Sequence, residues 1–109
     1  MKKFKINGQE FESKELDMNF FCDVTDKFGI SAERFLSDEM SMIRIYVAMC
    51  GDISLSEAGK LLEQHIISGK TLENVGKIMA EEIDNSGFIK AIAAKREQVA
   101  TQNESEEKK

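Results

Sequence analysis

Phe4-Lys5-Ile6-Asn7-Gly8-Gln9-Glu10-Phe11-Glu12 is the stretch that decides the fold, because two short runs containing large apolar residues flank an Asn-Gly pair. Asn and Gly tolerate the positive φ angles of a tight two-residue turn, so this stretch predicts a β-hairpin over about residues 3–12. A two-stranded hairpin is marginal alone in water, so Phe4, Ile6 and Phe11 are expected to rest on the rest of the chain. From about residue 16 onward the patterning is helical. The expected fold is therefore mainly α: a small helical domain of four to five helices with an N-terminal β-hairpin.

Next after the hairpin, Leu16, Phe20, Phe21, Val24 and Phe28 recur at steps of one to four residues and gather on one helical face. They predict a helix near 17–28, with Asp17 as N-cap and Gly29 as its stop. Between Met40 and Cys50 only Ser41 and Arg44 interrupt the apolar residues, which predicts a central helix buried on most sides and ended by Gly51. Ser54-Leu55-Ser56-Glu57 has the spacing of a capping box, with Ile53 placed to staple against Ala58. The stripe Leu55, Ala58, Leu61, Leu62 and Ile66 then runs to Gly69. Thr71 is the expected cap of another helix, with Leu72, Val75, Met79 and Ile83 inward. A last helix opens near Ser86, anchored by Phe88, Ile89 and Ile92. Residues 1–96 form the expected single domain, and 97–109 an acidic, polar tail that buries too little to order itself.

Composition narrows the class. With 109 residues and 41% hydrophobic content the chain can close one core. Its longest apolar run, Ile45–Cys50, is far below the roughly 20 residues that span a bilayer. The start Lys2-Lys3-Phe4-Lys5 is positive but is followed by no apolar stretch or cleavage site, so the protein is expected to stay in the cytoplasm. A net charge of −5 opposes non-specific attraction to phosphate backbones. Cys22 and Cys50 lack metal or disulfide spacing and are expected to be buried reduced thiols.

No set of residues has a catalytic spacing, and no cofactor or metal is expected. The sole histidine, His65, lies beside an apolar stripe with no nucleophile or carboxylate placed around it, so a packed structural role is expected. Glu82-Ile83-Asp84-Asn85-Ser86-Gly87-Phe88-Ile89 imitates the first eight places of a calcium loop, but the twelfth place, which requires a bidentate glutamate, is Ala93. A capped helix-to-helix turn accounts for the same residues. Leu55–Leu62 followed by Gly69–Lys77 has the outline of a helix-turn-helix, yet the second helix mixes Lys70, Asn74 and Lys77 with Glu73, Glu81 and Glu82. Six methionines are present, with Met40, Met42 and Met49 on or beside the central helix. They read either as core filler or as an adaptable partner surface.

The hairpin word Lys3–Phe11, then Leu16-Asp17-Met18-Asn19-Phe20-Phe21-Cys22-Asp23, then Ser41-Met42-Ile43-Arg44-Ile45-Tyr46-Val47-Ala48-Met49-Cys50-Gly51, resembles the small tail assembly chaperones of long-tailed, siphovirus-type phages and related prophages. The resemblance spans roughly residues 3–95. It implies a non-enzymatic factor that binds the tape measure protein in the host cytoplasm, helps recruit tail tube protein and leaves before the virion is complete. It also implies a longer frameshifted form, for which an adenine-rich codon run over Glu106-Glu107-Lys108-Lys109 is a fitting junction. Self-association is left open; nucleic acid and membrane are not expected partners. An exposed apolar surface of Phe20, Phe21, Met42, Ile45, Tyr46 and Met49 is expected to hold the partner. The alternatives are a small helix-turn-helix-like transcriptional regulator or a generic helical protein-interaction module.

Overall fold

The computed structural model describes residues 2–94, so the tail expected over 97–109 and the last residues of the expected 1–96 domain lie outside the described residues. Strands β1 (Lys3–Ile6) and β2 (Gln9–Glu12) pair antiparallel, with Phe4 opposite Phe11 and Lys5 opposite Glu10. The turn places both Asn7 (φ 51°) and Gly8 (φ 80°) in the left-handed region, as a type I′ hairpin requires. Its apolar face holds Phe4, Ile6 and Phe11, all buried.

Five helices come next in order: α1 (Met18–Phe28), α2 (Ala32–Phe35), α3 (Glu39–Gly51), α4 (Leu55–Ile67) and α5 (Glu73–Asn85). A sixth opens at residue 87 and is helical to residue 94, the last described residue. The chain is thus mainly helical with an N-terminal hairpin. The short α2 is the element without a counterpart in the expected pattern. Ser31 caps it by accepting from the Arg34 N–H, and it exists to insert Phe35, which is fully buried.

Local signals set most boundaries. The Asp17 carboxylate accepts from the Phe20 N–H at 2.9 Å, and Gly29 closes α1 in the left-handed conformation. Ser54 Oγ accepts from the Glu57 N–H at 3.1 Å, so the serine half of the expected capping box forms at the start of α4, while the Glu57 carboxylate accepts from the Ser54 hydroxyl at 3.4 Å. Two expected caps fall elsewhere. Gly51 does not stop α3; the helix runs through it, and Asp52 adopts the left-handed cap (φ 52°), its N–H reaching the Ala48 and Met49 carbonyls. Gly51 is needed for another reason, since a methyl there would collide with the Phe11 ring. Thr71 does not cap α5, whose first residue comes after Leu72 without a side-chain cap.

The core forms around α3, with Ile43, Ile45, Tyr46, Val47, Ala48 and Met49 all buried. The hairpin, α2, α4 and α5 pack on it, and α1 reaches it through its aromatic rings. Phe35 meets Phe20 and Phe21 edge-on at centroid distances of 5.6 and 5.4 Å. Such pairs contribute about 0.5–1.5 kcal/mol each beyond the area they bury. The ion pairs Lys2–Glu81, Lys3–Glu10 and Lys27–Asp52 are solvated and add little.

Candidate functional site

The apolar surface expected to be exposed is largely covered by packing. Phe20, Phe21, Ile45, Tyr46 and Met49 are buried, and Met42 is half-buried. The hydrophobic excess of α3 is consumed by neighbours on nearly every side, so none of the six offers a free apolar face. Tyr46 shows why. Its ring lies 6.2 Å from Phe4 and 6.0 Å from Phe20, while its hydroxyl donates to the Lys14 carbonyl at 3.0 Å and accepts from the Lys14 N–H at 2.8 Å. Tyr46 is therefore a structural hub, tying the hairpin, the loop after it and α1 to the central helix.

The candidate chemical groups are equally committed to structure. His65 is buried and takes the inward position that the stripe assigned to Ile66, which is 45% exposed. Its Nδ1 accepts from the Asn7 backbone N–H at 2.8 Å, and Nε2 lies 3.0 Å from the Thr71 carbonyl, which fixes the tautomer with the proton on Nε2. Thr71 thus meets His65 of α4 through its carbonyl and does not cap α5. The calcium-like order is a helix junction: Ser86 Oγ donates to the Leu16 carbonyl at 2.6 Å and accepts from the Ile89 N–H at 3.1 Å. Among the described residues no group of three or more metal-ligating side chains converges. Cys22 is exposed, contrary to expectation, because it projects from the outer side of α1; Cys50 is half-buried, and burial pushes its thiol up to about 12.

The open apolar surface lies elsewhere. Met18 and Met40 are each 62% exposed, and Ile67 is 75% exposed. Met40 lines a groove of about 550 Å³ between the first turns of α3 and the outer row of α5, together with Ile43, Leu72, Gly76 and Ala80. Glu39, Glu73 and Lys77 complete its lining. Sequence reasoning placed Met40 in the methionine cluster but did not assign it to the partner surface. The available signal was the row Leu72, Gly76, Ala80 at intervals of four, with two small residues where an outward helix face would ordinarily carry longer ones.

No family model, curated protein or solved structure matches the chain. What the fold defines is a small helical domain built on a hairpin, with an apolar groove between α3 and α5 on its surface. Among the described residues no helix is long and apolar enough to cross a membrane.

Proposed function

We propose that the chain is a tail assembly chaperone of long-tailed phages and related prophages, which binds the tape measure protein in the host cytoplasm and helps recruit tail tube subunits. The supporting observation is where the resemblance falls. Its three stretches, 3–11, 16–23 and 41–51, meet around Tyr46, through Phe4 at 6.2 Å and Phe20 at 6.0 Å. The similarity therefore concerns one contiguous structural unit and not scattered words.

The surface is compatible with binding in place of catalysis. Met40 and Met18 present flexible thioethers to solvent, and the α3–α5 groove offers an apolar floor. A DNA-reading role for α4 and α5 is disfavoured because Glu73, Glu81 and Glu82 lie on the second helix. The reading includes a longer frameshifted form diverging near Glu106–Lys109 and absence from the finished virion.

Gene order is an inexpensive check, since the reading places this gene between those for tail tube and tape measure proteins. The direct experiment is affinity capture of the tagged chain from induced cells, read by mass spectrometry. Enrichment of the tape measure protein is the expected result; its absence from the captured material, with the chain soluble and expressed, contradicts the proposal.

A further inference from the structure

We propose that the groove between α3 and α5 is the docking site for one amphipathic helix of a partner protein, with an apolar stripe on the groove floor and lysine or arginine side chains against Glu39 and Glu73. The identification of that partner as the tape measure protein rests on the chaperone reading; the chemistry of the helix rests on the groove.

Three observations point to such an occupant. First, the groove is open where a side chain would ordinarily close it: Leu72, Gly76 and Ala80 form an i, i+4, i+8 row, and a Cβ built on Gly76 meets nothing within 4 Å. A row of that spacing with small central members is the depression into which a ridge of another helix fits. Second, Met40 stands 62% exposed beside buried Ile43, so an adaptable apolar side chain is held at the edge of the trench by a rigid core. Third, the charges select the flanks. Glu39 and Glu73 are exposed carboxylates, and neither has an ion-pair partner among the described residues; Lys77 is the single cation in the lining. With a net charge of −5 on the chain, the field at this groove favours a cationic partner segment and repels anionic membranes and nucleic acid.

A helix fits better than an extended segment. The backbone groups along α3 and α5 are consumed by their own helical hydrogen bonds, so an arriving strand finds no ladder to join and leaves its amides unpaired on an apolar floor. An arriving helix brings its backbone already satisfied.

The test uses a labelled synthetic peptide of about 15 residues, long enough for several helical turns, with leucines at helical spacing and lysine flanks, and a second peptide with glutamate flanks. Fluorescence anisotropy against the full chain is predicted to show saturable binding of the lysine peptide and at least about tenfold weaker binding of the glutamate peptide. Gly76→Leu, which fills the trench from an unobstructed position, should weaken the lysine peptide by about tenfold or more while helix content and melting temperature persist. The pair Glu39→Gln and Glu73→Gln should weaken it and reduce its salt dependence. Equal binding of both peptides, no binding of either, or full affinity in Gly76→Leu overturns the proposal. Capture of the tape measure protein then separates the two claims. If Gly76→Leu captures it as well as the parent chain does, the groove assignment fails while the chaperone reading stands. If the parent binds the lysine peptide but not the tape measure protein, the groove stands and the chaperone reading fails.

Discussion

Asn7 and His65, 58 residues apart in the chain, are joined by a 2.8 Å hydrogen bond from the backbone N–H at the hairpin tip to Nδ1 of the imidazole. Because Nε2 also reaches the Thr71 carbonyl, one side chain links the hairpin, α4 and the connection to α5. We predict that His65→Ala leaves two backbone groups poorly satisfied and costs about 1–3 kcal/mol. For a domain of this size that lowers the melting temperature by about 4 °C or more. Thermal unfolding followed by circular dichroism checks it, and an unchanged midpoint would show that water replaces the imidazole without cost.

Tyr46→Phe isolates the polar half of the hub, since the ring contacts to Phe4 and Phe20 remain while both bonds to Lys14 are lost. The expected loss is about 1–3 kcal/mol by urea unfolding. Tyr46→Ala should cost more, about 3–5 kcal/mol by analogy with other buried aromatic truncations. Equal stability of all three proteins would mean that Tyr46 is not the anchor the geometry makes it.

Gly51 and Gly76 both lie within helices but predict opposite signs. Alanine at Gly51 meets the Phe11 ring, whereas alanine at Gly76 meets open space. Gly51→Ala is therefore expected to destabilise by about 1–3 kcal/mol despite the better helix propensity, and Gly76→Ala to stabilise by about 0.5–1 kcal/mol. Paired urea titrations decide the matter, and the same sign at both positions would refute the packing argument.

The hairpin and most helix starts were legible because their causes act within about four residues: Asn7-Gly8 for the turn, Asp17 for α1, Ser54 and Glu57 for α4. Long-range facts were not. Whether Ile45 and Tyr46 stay open depends on what the hairpin and α1 bring to α3, and periodicity along α3 carries no record of that. Likewise, His65 displaces Ile66 from the inward position because the Asn7 N–H, distant in sequence, needs an acceptor. The short α2 was hidden because four residues are too few for a periodic signal, although Phe35 is central to the aromatic cluster. The groove was missed because the hydrophobic excess lies on α3, while the opening is made by small residues on α5.

The two cysteines should react differently. Cys22 is exposed, whereas burial holds the Cys50 thiol up at about 12 and shifts the Tyr46 hydroxyl in the same direction. We predict that iodoacetamide at mildly alkaline pH labels Cys22 in the folded chain and Cys50 only after unfolding. Because folding favours the neutral Cys50 thiol, its stabilising effect is fully present below the ordinary value of 9.0 and is lost as pH rises toward about 12. Urea midpoints should accordingly decline from about pH 9 upward. Rapid native labelling of Cys50, or a midpoint that rises over that interval, would contradict the assignment.

The proposed role of this domain in holding a tape measure protein is decided by expressing that protein with and without the chain and measuring its soluble fraction. The tape measure protein is expected to be insoluble alone, to become soluble on co-expression, and to co-elute with the chain in size-exclusion chromatography. A tape measure protein that stays insoluble beside abundant soluble chain, with the chain eluting by itself, would contradict it.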